Sequence, residues 1–526
     1  MLNKIKNWIE FPLDKEKLRL AFIYTYLIGF IAHGFSFLNL QMSHDSISEF
    51  ALAYGWKIRI GRYFKPIYDT FLGTFISLPW MNGLTILAWL SLVSYLVIKI
   101  FNIQKKSHML VICGLLCVNI TIISLNATFL NDASGDAFGI FITILGVYYW
   151  QRIFDLKTKK EKIISFLKVV FCLWLSLGIY QAFICIFISL VLIISIIKLI
   201  DIHQTYSWKE VWINDIIGAL ECLIGGIVYY CGLKAILAVT HFKLIEGNYN
   251  SITNVFAEGG ESIASKLTST INQYLDYFIR AKGYNVYPDI VVRIVIILLL
   301  VIALYSFVCI IRYLKKNGIS WMNIISAILF ILLLPIAMNL IRLLNTTVHD
   351  LMIYAFWFTY ILILLFVLEY IEIKPSKIIE RITLFLLSCV LVINIQIANA
   401  CYAKKSFDEE ATLSVMTRVV ERIETLDGYE PGVAPVMFIG TPTDYLKEFY
   451  EFEGLHYING TTNAVVTYQE VYFNYVAMIM KVDMNIVKKE YAYENLLNEK
   501  DVENIKAFPD TDSIRMVDGV VVVNFE

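Results

Sequence analysis

The chain has 526 residues, of which 58% are apolar and 17% are charged, and its formal net charge at pH 7 is −1. A soluble chain of this length would fold as several domains with polar surfaces, and the long apolar runs of this sequence exclude that organisation. Two of these runs, 291–310 and 322–340, are close to the roughly 20 residues that a helix needs to cross the hydrocarbon layer. The composition predicts an integral membrane protein that contacts membrane lipids and binds no nucleic acid.

Hydropathy predicts about eleven transmembrane helices, so the predicted fold class is an all-α polytopic membrane protein. The spans lie near 18–38, 81–103, 108–128, 134–151, 163–179, 181–200, 212–235, 290–311, 321–341, 350–370 and 380–400. The stretch 64–80 is also apolar, but Asp69 and Pro79 interrupt it. It is predicted to lie at the membrane surface or to dip into it.

Lysine and arginine predict the direction of the spans. Basic residues such as Lys4 and Lys6 fill the N-terminal arm and recur in alternate loops, which predicts that these segments are cytoplasmic. An odd number of spans then puts the C-terminus outside a cell membrane. The outside loops include a long one at 39–80 (the first loop), a short one near 126–133 (the second loop), and another long one at about 236–289.

Residues 401–526 differ in composition from the rest, with 22 acidic against 11 basic residues. They are predicted to form a small soluble extracytoplasmic α/β domain, separate from a transmembrane domain over 1–400. Its predicted elements are an amphipathic helix over 411–426, a short buried strand over 435–440, and a hairpin over 513–525 that turns at Asp518-Gly519.

The first loop contains a candidate catalytic carboxylate. Asp45 closely follows the first span, beside His44 and near Glu49. A carboxylate at this position has the chemistry to take a proton from a sugar hydroxyl as the hydroxyl attacks. The alternative is that Asp45 only caps a helix, because Ser46 and Glu49 fit the capping-box pattern S-x-x-E.

Three basic residues of the first loop, Arg59, Arg62 and Lys65, run against the tendency of basic residues to stay inside. Guanidinium groups donate paired hydrogen bonds to phosphate oxygens, so this set is predicted to bind a donor phosphate. The alternative is binding of lipid headgroups. A carboxylate and a phosphate-binding set in one outside loop favour transfer of a sugar from a lipid-linked phosphate.

The second loop has two carboxylates four residues apart, Asp132 and Asp136, which would share one face of a helix. They are candidates for positioning an acceptor or binding a divalent cation, and the alternative is helix capping. At the outer end of the fifth span, Tyr180 and Gln181 are candidates for lining a sugar pocket. The alternative for Tyr180 is an interfacial tyrosine of the aromatic belt. The outer turn at 342–349 adds His349.

The order of several segments resembles the GtrII-type membrane glucosyltransferases over most of the chain. The segments are SHDSISEF, GRYFKPIYDTFLG, NATFLNDASGDAFGIFITILGVYYW, SLGIYQAFICIFISL and YEPGVAPVMFIG. The resemblance implies a GT-C-like fold and a bacterial enzyme that moves a sugar, often glucose, from a polyprenyl-phosphate donor to a cell-surface polysaccharide or glycolipid. It implies inversion at the anomeric carbon, with Asp45 as the general base and Asp132 or Asp136 as a second functional acid. It implies no cofactor, and Asp132 and Asp136 stay candidates for binding a divalent cation.

Two other functions remain open from the residues. The first is a lipid-linked glycan flippase or another transporter, for which Glu221 inside the seventh span is the main argument. The second is a polysaccharide polymerase, which shares the large outside loops. The donor distinguishes the readings, since a transferase should use a single sugar on a lipid phosphate and a polymerase an oligosaccharide on a lipid diphosphate.

Overall fold

The chain is mostly helical, with one small sheet near its C-terminus. The computed structural model describes residues 13–50, 54–72, 78–201, 203, 206–245, 262–280, 289–345, 347–447, 455 and 458–526.

A helix lies at each of the eleven predicted spans, and shorter helices occupy the first loop. In chain order the helices are α1 (Lys15–Leu38), α2 (His44–Phe50), α3 (Tyr54–Arg59), α4 (Phe64–Leu72), α5 (Pro79–Ile100), α6 (Lys106–Cys117), α7 (Ile120–Thr128), α8 (Ala133–Arg152), α9 (Lys159–Ile179), α10 (Ile184–Ile200), α11 (Trp208–Thr240), α12 (Ile263–Phe278), α13 (Asp289–Lys316), α14 (Trp321–Met338), α15 (Ile341–Leu344), α16 (Phe358–Ile373) and α17 (Lys377–Glu424).

Nine helices of the described residues are long and apolar enough to cross a membrane, which is consistent with a membrane protein. The pair α6 and α7, bent by 41°, makes ten if it is counted as one span. The helix α8 is not among them, because Asp136, three glycines and a terminal Tyr-Tyr-Trp run lower its mean hydropathy. The number of eleven spans therefore stays a prediction.

Local sequence signals account for where several helices begin. Thr158 and Glu161 form a reciprocal capping box at the start of α9, and Ser207 and Glu210 do the same at the start of α11. The break between α6 and α7 lies at Asn119, whose side chain accepts from Ile122 N and donates to Leu115 O and Leu116 O, all at 3.1 Å. One buried amide thus satisfies backbone groups on both sides of the bend.

The last helix, α17, runs without a break through 48 residues. At 1.5 Å per residue it is about 72 Å long, more than twice the roughly 30 Å of hydrocarbon that a span has to cross. The predicted boundary between residues 400 and 401 falls inside this helix, and the predicted helix over 411–426 is its C-terminal part. The same rigid element therefore belongs to the helical body and to the C-terminal unit.

The C-terminal unit contains a four-stranded sheet in the order β2-β1-β4-β3. Its strands are β1 (Pro435–Ile439), β2 (Asn485–Val487), β3 (Ile514–Val517) and β4 (Val520–Asn524). β1 is parallel to β2 and β4, and β3 is antiparallel to β4. The predicted strand and hairpin are both confirmed, and both turn residues, Asp518 and Gly519, have positive φ. Among the described residues the unit also has three short α-helices, α18 (Pro442–Tyr445), α19 (Gln469–Asn474) and α20 (Lys489–Asn495), and a π-helix, Tyr475–Met480, follows α19.

The apolar core of the C-terminal unit includes a residue of the first loop. Side chains of the sheet, among them Phe438 and Val521, pack with Val419 of α17 and with Tyr472 of α19. Ile47 of α2 belongs to the same core and is fully buried. The helix that carries Asp45 is therefore docked into the C-terminal unit by its apolar side.

Polar contacts hold the two predicted outside loops against α17. Glu409 accepts a hydrogen bond from the backbone N–H of Met42, and Gln41 Nε2 donates to Tyr402 O at 2.6 Å. The ammonium of Lys405 donates to Ala127 O in the second loop. About two turns of α17, from Tyr402 to Glu409, thus contact both loops.

The third predicted outside loop, at about 236–289, is partly helical. Its first residues continue α11 to Thr240, and α12 lies within it. Residues 246–261 and 281–288 lie outside the described part of the chain.

Gly460 of the C-terminal unit lies directly against the second loop. Its φ is 85°, and a Cβ at this position would lie 2.5 Å from the carbonyl carbon of Ala127. Both the backbone conformation and the close approach require glycine here.

We expect Gly460→Ala to destabilise the protein more than Gly428→Ala. Gly428 has a similar φ of 81°, but a Cβ there meets nothing within 4 Å. Both variants place a side chain on a residue with positive φ, which costs about 1–2 kcal/mol of stability. Only Gly460→Ala also overpacks its surroundings, which costs about 1–3 kcal/mol more. Thermal unfolding of the purified variants in detergent measures the difference. Equal losses of stability would show that the contact with Ala127 is not tight.

Candidate active site

Asp45 lies in the first turn of α2, but it does not cap the helix. The cap is Ser43, whose hydroxyl accepts from Ser46 N and whose carbonyl accepts from Ile47 N, both at 3.1 Å. The side chain of Asp45 is 38% exposed, and its Oδ2 lies 3.4 Å from His44 Nε2. Ser43, and not Asp45, therefore caps α2. The Asp45 carboxylate lies next to an imidazole and is partly exposed to solvent.

The predicted capping-box residue Ser46 instead joins the two loops. Its hydroxyl donates to Thr128 O at 3.0 Å and accepts from Leu130 N at 3.1 Å. The hydroxyl of Ser43 also donates to Thr128 O. The side chain of Glu49, another predicted site residue, lies outside the described residues.

Asp132 and Asp136 are buried in a cluster of charged side chains that also contains residues of the first loop. Lys65 Nζ lies 2.7 Å from Asp136 Oδ2 and 3.7 Å from Asp132 Oδ2. Lys57 Nζ contacts Asp132 and lies 3.0 Å from Asp69 Oδ2. We call these five residues the ionic cluster. The two predicted acids therefore converge on one cation, Lys65. Helix capping does not explain Asp132, because its side chain makes no capping bond at the start of α8.

Within the ionic cluster, two lysines face three carboxylates, and this excess of negative charge affects protonation. Burial raises the pKa of Asp69 to about 6, and the charge of Asp132 acts in the same direction, while Lys57 and Lys65 oppose it. The ionised form of Asp69 is therefore less favoured in the folded protein than in the unfolded chain. When the pH falls from about 6 towards 4, Asp69 is protonated in the folded protein before it is protonated in the unfolded chain. This group alone therefore increases the free energy of unfolding as the pH falls over this range.

The three predicted phosphate-binding residues lie on consecutive turns but have different partners. The Arg62 guanidinium lies 4.2 Å from the ring centroid of Tyr180. The Nε of Arg59 donates to Lys243 O at 3.1 Å on the surface. Lys65 is completely buried and belongs to the ionic cluster. Arg59 thus presents its charge at the surface, Arg62 is half-buried, and Lys65 is completely buried.

Gln181 supports the turn that carries Arg62. Its Nε2 donates to Ile60 O at 3.1 Å and to the Tyr229 hydroxyl at 2.9 Å, and that hydroxyl donates to Gly61 O at 3.2 Å. Tyr180 contributes its ring to Arg62 and Gln181 holds the backbone beside it. These two predicted pocket residues therefore lie at the base of the turn between α3 and α4 that carries Arg59 and Arg62, which we call the basic turn.

Residues that are distant in sequence lie near Asp45. The ring of Tyr468 is edge-on to His44, with centroids 5.4 Å apart. Burial lowers the pKa of His349, whereas a hydrogen bond with Asn459 and the negative charge of Asp45 raise it. Asp45 is therefore within electrostatic reach of His349, and the C-terminal unit contributes Tyr468 and Asn459 to its surroundings.

Sequence reasoning missed Lys57, Asp69, Tyr468 and Asn459. An aspartate in an apolar stretch such as 64–80 should have a partner, and this was the available signal for Asp69. Tyr468 and Asn459 gave no local signal. Among the described residues there is no group of three or more His, Cys, Asp or Glu that could hold a metal ion.

The model of one family, described as glucosyl transferase GtrII, matches residues 34–368. The chain belongs to the GtrII glucosyltransferase family. The match confirms the predicted resemblance and includes Asp45, the basic turn and the ionic cluster. It ends before α17 and the C-terminal unit. Comparison with curated proteins and with solved structures gives no match.

Membership of the GtrII glucosyltransferase family supports glycosyl transfer as the activity of the chain and implies a sugar donor and an acceptor. The segments that carried the resemblance contain the residues of both predicted loops. Of these, the two acids of the second loop lie together with Lys65, while Asp45 lies at the joint between the loops and the C-terminal unit.

We expect Lys65→Met to destabilise the protein by about 3–5 kcal/mol, because it leaves buried carboxylates without their cation. The double variant Lys65→Met/Asp136→Leu, which removes both partners, should recover much of this loss. Chemical or thermal unfolding in detergent measures each step of the cycle.

The matched control is Lys105→Met, which breaks a 2.7 Å ion pair with Glu380 in which the lysine side chain is 54% exposed. This pair should contribute only about 0–1 kcal/mol. A Lys65→Met protein as stable as the Lys105→Met protein would contradict the buried ionic cluster.

Proposed function

We propose that this chain transfers a hexose, glucose or a close relative, from a polyprenyl-phosphate donor to a cell-surface polysaccharide on the outer side of the membrane. In this proposal the N-terminus is cytoplasmic and the two loops and the C-terminal unit face outward. The observation that supports it most is the position of Asp45, whose partly exposed carboxylate lies beside His44 without being used as a helix cap.

The proposed reaction is a single displacement. Asp45 takes the proton from the attacking acceptor hydroxyl, whose oxygen forms a bond to the anomeric carbon. The bond between that carbon and the phosphate oxygen breaks, and the polyprenyl phosphate leaves with the electron pair. Attack from the opposite side inverts the configuration, and Asp45 then releases its proton to solvent.

The leaving phosphate gains negative charge, which the basic turn is suited to stabilise. Arg59 is exposed and Arg62 is half-buried, and a guanidinium binds phosphate through paired hydrogen bonds. Lys65 does not contact the phosphate in this proposal, because its ammonium is buried among carboxylates. Its role is to position Asp132 and Asp136. A divalent cation at the donor phosphate is compatible with this proposal.

One observation favours a different function. Glu221 of α11 is buried, and neither oxygen of its carboxyl group has a hydrogen-bond partner among the described residues. Buried acids of this kind often mark ion or substrate pathways, so lipid-linked glycan transport is the second candidate. Incubating the purified protein with a panel of polyprenyl-phosphate sugars and a polysaccharide acceptor distinguishes them. A transferase releases polyprenyl phosphate, a transporter releases none, and a polymerase requires a lipid diphosphate.

Asp45→Asn should reduce turnover by about 10²–10⁴-fold, the usual effect of losing a general base. Its folding and its KM for the donor should stay close to wild type, because asparagine preserves the shape of the side chain. Initial rates of polyprenyl phosphate release measure this effect.

The control for Asp45→Asn is Ser43→Ala. It removes the cap of the same helix and should lower stability by about 1 kcal/mol while leaving turnover nearly intact. An active Asp45→Asn protein would exclude Asp45 as the base and direct attention to Asp132 and Asp136.

Arg62→Ala should raise the KM for the donor by about 10–100-fold, since a hydrogen bond to a charged group contributes about 1.5–3 kcal/mol. Arg62→Lys should recover only part of this, because a lysine lacks the planar paired donors. The control is Arg418→Ala, which removes an arginine that lies 5.2 Å from the ring centroid of Phe508 in the C-terminal unit. If the donor KM of Arg62→Ala equals that of the control, lipid-headgroup binding becomes the better explanation of the basic turn.

A further inference from the structure

The residues that approach Asp45 from the C-terminal unit differ chemically from those of the basic turn. Tyr468 lies against His44, and Asn459 and Asp45 both act on the imidazole of His349. The basic turn carries Arg59 and Arg62, which suit an anionic ligand. A general base has to reach the acceptor hydroxyl, so the residues around Asp45 are candidates for binding the acceptor.

We propose that Tyr468 and Asn459 of the C-terminal unit form the binding subsite for the acceptor sugar. The proposal rests on the function proposed above and assigns the acceptor to the surroundings of Asp45 and the donor phosphate to the basic turn.

The chemistry of these side chains suits an uncharged carbohydrate. Tyr468 is 38% exposed and is edge-on to His44, so its ring offers a flat apolar surface with a polar hydroxyl at its end. A pyranose ring has an apolar face of C–H groups and a rim of hydroxyls. The amide of Asn459 and the imidazole of His349 both donate and accept hydrogen bonds, as sugar hydroxyls do. Neither lysine nor arginine is among these four residues, which favours an uncharged ligand here.

The subsite is held at a fixed distance from the candidate base by covalent and packing constraints. Tyr468 immediately precedes α19, and Val471 and Tyr472 of α19 share an apolar core with Ile47, two residues after Asp45. Asn459 immediately precedes Gly460, whose backbone lies against Ala127 of the second loop. Substrate-positioning groups are effective only when they are held rigidly relative to the reacting atoms, and both residues meet this condition.

Tyr468→Ala should raise the KM for the acceptor about tenfold, as expected for the loss of an aromatic contact and its buried area. The donor KM should not change, and Tyr468→Phe, which keeps the ring, should stay within about twofold of wild type. The acceptor is polysaccharide extracted from producing cells that lack this gene, and the donor is polyprenyl-phosphate glucose. The control is Tyr491→Ala, on α20 of the same unit, where the tyrosine is 53% exposed.

The activity of the wild-type protein separates the failure of the proposed function from the failure of the subsite. If the wild-type protein releases none from this donor and does not modify the polysaccharide, the proposed function fails, and the subsite fails with it. If the wild-type protein is active and Tyr468→Ala keeps a normal acceptor KM, only the subsite is wrong. A rise in donor KM instead would place the donor on this side. Should Tyr468→Ala unfold, Tyr468→Leu and Asn459→Ala provide the same comparison, and normal acceptor KM values in both would overturn the proposal.

Discussion

The buried ion pairs between the two predicted outside loops are the interaction on which the candidate site depends. Lys57 and Lys65 belong to the first loop, and Asp132 and Asp136 belong to the second loop and the start of α8. Taking such charges out of water costs several kcal/mol per ion, so the cluster can exist only when both loops are in place. The cluster determines how two segments about 70 residues apart in sequence face each other. It also holds in place the turn that carries Arg62.

A second constraint joins this pair of loops to the far end of the chain. Ile47 is part of the core of the C-terminal unit, Glu409 and Lys405 contact the backbone of both loops, and Gly460 lies against Ala127. The matched family region ends at residue 368, before any of these C-terminal partners. The segments that define the family therefore depend structurally on a unit outside the family match. This dependence explains how a short helix such as α2, with only seven residues, keeps a defined position.

The sequence predicts much of this architecture, because helices in a membrane need long apolar runs and strands in a small sheet need short ones. It correctly places helices at all eleven spans, the strand β1 and the hairpin of β3 and β4. It does not show which residues have distant partners. Lys65 is predicted to bind phosphate because it lies in a loop predicted to be outside, and the structure gives it two carboxylates as partners. The boundary at residue 400 marks a change in composition, yet α17 continues through it because nothing in the sequence breaks the helix. Asp45 is predicted as the base from its position, but its neighbours Tyr468 and Asn459 come from more than 400 residues away.

The insertion of Ile47 into the C-terminal core also has a consequence during synthesis. The ribosome makes α2 early, but the apolar cavity that receives Ile47 is formed by residues from Val415 to Phe525. At about 5–20 residues per second, roughly 480 further residues take on the order of 25–100 s to translate. During this interval Ile47 lacks the apolar side chains against which it packs in the folded protein. The position of α2, and of Asp45 on it, is therefore fixed only after the last strand of the sheet has been made.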